Sequence, residues 1–246
     1  MYKPVKDGID KSAKFVSYIE EQPQDHLREL VHCYWELKTT NPLPEDFRYH
    51  VLPDACVNIL LNQMDRDVAA ITAIHTTATV LNLGKSFHYI GVQLLPGVWR
   101  GNPAEIRNDY VAESYTGTLS LNDLNQELAG LDFSAQQSLL SNFLERLRHE
   151  GSIAANEVTA EILRNIDEIR SVADMATVTK LSSRQLQRIL KETTGFSPHD
   201  FLKVLRVQQS FKQDYLTYYA DQSHFIHSFR KITGYTPTKY AKKFDV

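Results

Sequence analysis

Near its C-terminal end the chain repeats itself at a spacing of 39 residues. Leu186-Gln-Arg-Ile-Leu-Lys-Glu-Thr-Thr-Gly195-Phe-Ser-Pro198-His-Asp-Phe201 aligns without a gap on Phe225-Ile-His-Ser-Phe-Arg-Lys-Ile-Thr-Gly234-Tyr-Thr-Pro237-Thr-Lys-Tyr240. The shared frame pairs Leu186 with Phe225, Leu190 with Phe229, Lys191 with Arg230, Ser197 with Thr236 and Phe201 with Tyr240. Each copy predicts an amphipathic helix stopped by Gly, then a second helix with a hydroxyl N-cap and Pro at its first position. Two copies of one small helical unit imply two equivalent surfaces.

Charge is segregated along the chain. From Lys180 onward there are 12 Lys and Arg against 5 Asp and Glu, whereas the preceding 179 residues carry 15 against 25. The net charge of -3 therefore hides a basic tail, which suits a polyanion partner, joined to an acidic remainder. No apolar run approaches the roughly 18 residues a membrane helix needs. The N-terminus lacks a signal-peptide layout, so a cytoplasmic protein without a membrane partner is expected. Cys33 and Cys56 lie in apolar runs and read as buried free thiols, with a disulfide the alternative.

Residues 30–95 read as β. The runs Leu30–Leu37, Phe47–Val51, Cys56–Leu61, Ala69–Ile74 and Phe87–Leu94 are short, rich in β-branched and aromatic residues, and separated by turn signals. Short strands without intervening helices predict an antiparallel sandwich or small barrel. Helices are expected from Ser120 to Leu128, from a capping box at Ser134 to Gly151, and from Val158 to about Ile169. The expected organisation is α+β in two domains: residues 1–150, a β domain ending in helices, and residues 155–246, an all-α domain.

Val172 to Leu190 has the form of a helix-turn-helix. Ala173 and Ala176 are small enough for a close crossing, and the turn runs through Thr179, Lys180 and Leu181. Ser182 with Gln185 forms a capping-box pattern. Leu186, Ile189 and Leu190 fall on one helix face, leaving Ser183, Arg184, Gln187, Arg188 and Lys191 outward. Arg and Gln can pair bidentately with guanine and adenine edges in a major groove. An ordinary amphipathic helix with a basic solvent face would show the same pattern.

The segment from about Asp167 to Phe244 resembles the DNA-binding domain of AraC/XylS-type transcription regulators. The resemblance rests on Ser182-x-Arg184-x-Leu186-x-Arg188, Lys191-x-x-x-Gly195-x-Ser197-Pro198, Leu205-Arg206, and Tyr219-x-Asp221-Gln222-Ser223-His224-Phe225 with Phe229-Arg230 and Gly234-Tyr-Thr-Pro237. It implies two helix-turn-helix units whose recognition helices enter successive major grooves. The family's base-reading positions match Arg184, Gln187 and Arg188, then Gln222, Ser223, Ile226 and His227. Lys180, Lys191, Lys203, Arg230, Lys239 and Lys242 are the expected phosphate contacts. More weakly, Cys33-Tyr-Trp35, Leu52-Pro-Asp-Ala-Cys-Val-Asn-Ile-Leu60 and Ile90-Gly-Val-Gln-Leu-Leu-Pro-Gly97 resemble the cupin-like domain that precedes some of these regulators. That likeness implies a sensing or oligomerising role. The partners implied are double-stranded DNA, an unidentified small-molecule effector at the N-terminal domain, RNA polymerase and a second copy of the chain.

One stretch departs from the family. Between Arg206 and its aromatic signature the family fits the end of a linker helix and the whole first helix of the second unit. Here Tyr218 and Tyr219 follow Arg206 by only 12 or 13 positions. A single helix from Pro198 to about Gln213 would span roughly 22 Å and leave no room for another. The second unit is thus expected to be abridged, with Tyr215, Leu216, Tyr218 and Tyr219 filling its core against Phe225 and Phe229. His227 stands where the family has Arg, which weakens its expected pull on phosphate. The first recognition helix is expected to carry most base readout.

Other chemistries find less support. His32, His50, His75 and His88 lack a His-x-His pair and a supporting Glu, so neither a metal nor another cofactor is expected. No phosphate loop, nucleophile elbow or Cys-x-x-Cys occurs, and no enzymatic activity is expected. Trp35 and Trp99 read as core or pocket wall, with Trp99 favoured for a pocket because it follows Pro96-Gly97. Two alternatives stay open: a protein-interaction module with a degenerate DNA-binding unit, and a cupin-type metal enzyme fused to a DNA-binding tail.

Overall fold

A computed structural model describes residues 2–72, 75–107, 113–212, 219 and 221–245. The fold is α+β, with a β-rich first part followed by eight α-helices among the described residues. The strands are β1 (Ile9–Asp10), β2 (Val16–Glu21), β3 (Val31–Thr39), β4 (Arg48–Val51), β5 (Val57–Asn62), β6 (Ala69–Thr72), β7 (Thr79–Asn82), β8 (His88–Leu94), β9 (Ile106–Arg107) and β10 (Phe244–Asp245). The helices are α1 (Leu121–Glu127), α2 (Phe133–His149), α3 (Glu157–Arg164), α4 (Val172–Thr179), α5 (Ser183–Thr194), α6 (Pro198–Ser210), α7 (Gln222–Thr233) and α8 (Pro237–Lys243). No helix is long and apolar enough to cross a membrane, among the described residues.

Six strands form one sheet in the order β2-β3-β8-β5-β6-β9, antiparallel except for the β6–β9 pair, and β4 with β7 makes a separate antiparallel ribbon. The expected barrel is therefore not closed. Side-chain alternation gives the physical reason. Val57, Ile59, Leu61, Ala69, Ile71, Ile90, Val92 and Leu94 point to one face and pack under α1 and α2, through Leu121, Leu124, Leu140, Phe143, Leu144 and Leu147. Cys33, Trp35, Leu37, Leu60, Ala70 and Tyr89 point to the other face and pack against Phe47, Tyr49 and Leu83 on the ribbon side. Both faces are covered, so the sheet need not curl onto itself to bury them. A bulge between Val31 and Cys33 switches the alternation, letting Val31 and Tyr34 both reach the helix side.

Several boundaries differ from the sequence expectation. The cap of α2 is Asp132, whose carboxylate accepts the Ala135 amide, and not Ser134. Helix α3 stops at Arg164, short of Ile169. Strand β6 is described only to Thr72, because Ala73 and Ile74 lie outside the described residues. Trp99 belongs to the core under α1 and α2, and its ring covers Gly101. Trp35, instead, faces a cavity on the ribbon side. Cys33 and Cys56 are both free and buried.

The first residues tie the β-rich part to the last helices. Strand β1 pairs with β10, matching Ile9 to Asp245 and Asp10 to Phe244. The Val5 amide donates to the Gln208 Oε1 of α6 at 2.8 Å, while Gln208 Nε2 donates to the Pro53 carbonyl at 2.9 Å. Gly8 donates to the His50 carbonyl at 2.9 Å, and a Cβ on Gly8 would collide with the Tyr240 hydroxyl and the Phe244 ring. Tyr2, Ala55 and Cys56 share one apolar cluster with α3, α4, α5 and α6, and Leu52 joins another with Phe225, Phe229, Ile232, Tyr240 and Phe244.

Candidate nucleic-acid interface

The repeat read from the sequence exists in three dimensions with its spacing intact. Helices α5 and α7 are both twelve residues long, and each starts 39 positions from its counterpart. Gly195 and Gly234 terminate them at φ 73° and 80°, the left-handed region that favours glycine. The following helices begin at Pro198 and Pro237 behind Ser197 and Thr236. Even a buried hydroxyl is duplicated. Thr194 donates to the Leu190 carbonyl and accepts the Phe196 amide, and Thr233 does the same with Phe229 and Tyr235.

The first unit is complete. Helix α4 is capped by Ser171 and ends at Lys180, which adopts a left-handed φ of 55°. Ser182 and Gln185 satisfy one another's amides as a full capping box. Leu186 and Leu190 are fully buried with Met175 of α4, while Ile189 is half-buried. Of the two small residues expected at the crossing, Ala176 is half-buried and accepts the Leu181 amide, whereas Ala173 is exposed.

That packing leaves Ser183, Arg184, Gln187, Arg188 and Lys191 exposed on α5. Arg188 rests against Glu192 at 3.3 Å, a surface i,i+4 pair of the weak kind a stronger partner can displace. The Lys191 ammonium holds the Gly195 carbonyl at 2.9 Å, and Lys203 pairs with Asp200 at 3.1 Å. Lys180, Arg184, Arg230, Lys239 and Lys242 are exposed and have no carboxylate partner among the described residues.

The second unit lacks a helix equivalent to α4 among the described residues. Helix α6 ends at Ser210 and α7 begins at Gln222, capped by Asp221. Tyr219 is buried and packs on Phe225 with ring centroids 5.2 Å apart, in the core position expected of it. Tyr215, Leu216 and Tyr218 lie outside the described residues. Much of the remaining support comes from the β-rich part, which sequence reasoning did not foresee. His50 of β4 stacks on Phe244 at 4.8 Å, and its Nε2 and Nδ1 lie 2.9 Å from the Thr233 carbonyl and 3.2 Å from the Tyr240 hydroxyl. On the outer side of α7, Gln222, Ser223, Ile226 and His227 are exposed.

The β-part histidines do not converge. His88 contacts Glu36 at 2.8 Å, His50 serves the junction just described, and His32 is buried with its pKa pushed down to about 4 by desolvation. No group of three His, Cys, Asp or Glu placed to hold a metal occurs among the described residues.

Residues 19–102 match a domain of unknown function, DUF6597. The match runs from within β2 through β8 and contains all three segments that carry the N-terminal resemblance; it stops before α1. No curated protein and no solved structure matches the chain.

Proposed function

We propose that this chain is a sequence-specific, DNA-binding transcription regulator of the AraC/XylS type, in which the β-rich part senses and the helical part binds the operator. The observation that carries the reading is the duplicated helix, glycine cap and proline-led helix, with Arg and Gln side chains exposed on the first copy. DUF6597 adds support as a kind of domain associated with AraC-type regulators at their N-terminus. In this reading Arg184, Gln187 and Arg188 read bases, helped by Ser183, and Gln222, Ser223, Ile226 and His227 meet a second groove less selectively. Lys180, Lys191, Lys203, Arg230, Lys239 and Lys242 neutralise phosphates. Releasing their counterions makes affinity fall steeply with salt.

Duplexes selected from a random pool provide the test. Arg188→Ala is expected to cost about 1–3 kcal/mol on the selected site and little on a scrambled one. Lys242→Ala weakens both together and lowers the salt slope by about one. Equal losses on the two duplexes for Arg188→Ala would defeat base readout. Randomising only the second half-element is expected to cost less than the ~1–3 kcal/mol typical of each mismatched pair. A larger loss would make α7 a full reader. If no duplex is bound with salt dependence, the protein-interaction reading takes its place.

A further inference from the structure

Between the six-stranded sheet and the β4–β7 ribbon lies a cavity of about 80 Å³, walled also by the N-terminal arm and the Leu52–Asp54 loop. That volume holds about five to eight water-sized centres, so an occupant is smaller than a hexose. The rings of Tyr18, Trp35, Tyr49 and Tyr89 line it, and so do the carboxyl groups of Asp7 and Asp54.

Both residues are half-buried, and the hydrogen bonds they accept among the described residues come from neutral donors. Asp7 accepts the Leu52 amide at 2.6 Å, and Tyr49 lines the same cavity. Asp54 accepts the Cys56 amide at 2.8 Å and the Gln93 side-chain amide at 2.6 Å. The cations at the margin are turned elsewhere: Lys6 to Asp245 at 2.8 Å and Arg107 to Glu113 at 3.7 Å. Neither carboxyl group pairs with a Lys or Arg among the described residues, whereas Glu20 repels Asp7 and Asp7 repels Asp54. Burial first, and this repulsion in addition, lifts Asp7 to about 7 and Asp54 to about 8. Two acids thus share an aromatic-walled space without a Lys or Arg partner among the described residues.

We propose that this cavity binds a small organic cation, a protonated or quaternary amine, seated against Asp7 and Asp54 and faced by the surrounding aromatic rings. Carboxylates supply the opposite charge, and ring faces attract a cation through their quadrupoles. An anion is repelled, and a neutral ligand gains nothing from ionising the acids. The proposal rests on the reading of the β-rich part as the sensing part and names the class of compound sensed.

Titration calorimetry on the full chain, without DNA and in an amine-free buffer, tests it with two pairs of probes. Choline is compared with its neutral carbon isostere 3,3-dimethylbutan-1-ol, and n-butylammonium with n-butanol. Saturable one-to-one binding of a cation, at least tenfold tighter than its neutral counterpart, is the expected result, and Asp54→Asn removes that preference. Equal binding within both pairs, or no saturable binding of either cation, overturns the proposal. The comparison of isosteres needs only the unaltered protein, so it stands even where the variant does not fold. Duplex binding takes no part in the measurement. Failure here with operator binding intact would remove the cation site alone, and the converse would remove the DNA reading alone.

Discussion

Replacing Asp54 with Asn stabilises the protein increasingly as pH rises, by on the order of 4 kcal/mol more at pH 9 than at pH 5. Desolvation of this half-buried carboxyl, with Asp7 beside it, raises its folded-state pKa to about 8 from a reference of 3.8. Between those values the folded chain keeps a proton that the unfolded chain has released. Wild-type stability therefore declines with rising pH until the folded pKa is passed, at about 1.4 kcal/mol per unit. An amide preserves the acceptor for the Cys56 amide and has no proton to lose. For a chain of this length the difference amounts to about 10 °C in melting temperature, measurable by thermal unfolding in phosphate and borate buffers. A difference between the two proteins that stays constant from pH 5 to pH 9 would show that the carboxyl is not held neutral by its surroundings.

Truncating Tyr240 to Ala is expected to cost about 3–5 kcal/mol in urea unfolding, as for other buried rings. Its side chain is fully buried, with ring centroids 4.7 Å from Phe244, 5.4 Å from Phe211 and 5.8 Å from Phe229. Tyr240→Phe keeps the ring and loses only the contact with His50, for about 1 kcal/mol. The Ala variant also frees the wall against which Gly8 lies, so amide exchange should rise at Gly8 and Lys11, whose hydrogen bonds join the arm to β4 and α8. A loss below about 1 kcal/mol for the Ala variant would mean that the second repeat is not held by this cluster.

The parts of the fold legible in the sequence are those set by neighbours along the chain. Ser182 with Gln185, Gly195 and Pro198 act within one helical turn, so the limits of α5 and the start of α6 could be read directly. Strand β2 was missed because Val16–Glu21 is an edge strand whose residues stay half-buried or exposed, and β7 because Thr79–Asn82 alternates half-buried with exposed residues and has no fully buried position. The pairing of β1 with β10 joins the two ends of the described chain, and no local pattern encodes it. The open sheet was equally hidden, since alternation reveals two buried faces but not what covers each. At the candidate interface the exposed residues of α5 were legible because helical periodicity separates them from Leu186 and Leu190. Asp7 and Asp54 were not. An Asp in a Pro-Asp turn ordinarily reads as solvent-facing, and only the arm folding back over the ribbon brings Asp7 and Asp54 to one cavity.

Gln208 acts as a fixed-length strut. One end of its amide holds Val5, two residues before Asp7, and the other holds Pro53, one residue before Asp54. Together with the Asp7–Leu52 hydrogen bond at 2.6 Å, this side chain on α6 joins the two acid-bearing segments. Helix α6 in turn packs against both α5 and α7. Separating those segments requires breaking the Asp7–Leu52 hydrogen bond and, besides, either breaking one of the two Gln208 hydrogen bonds or carrying α6 along. Any coupling of binding carried by this link is reciprocal: an occupant of the cavity changes affinity at the helices by the same factor as an occupant of the helices changes affinity at the cavity.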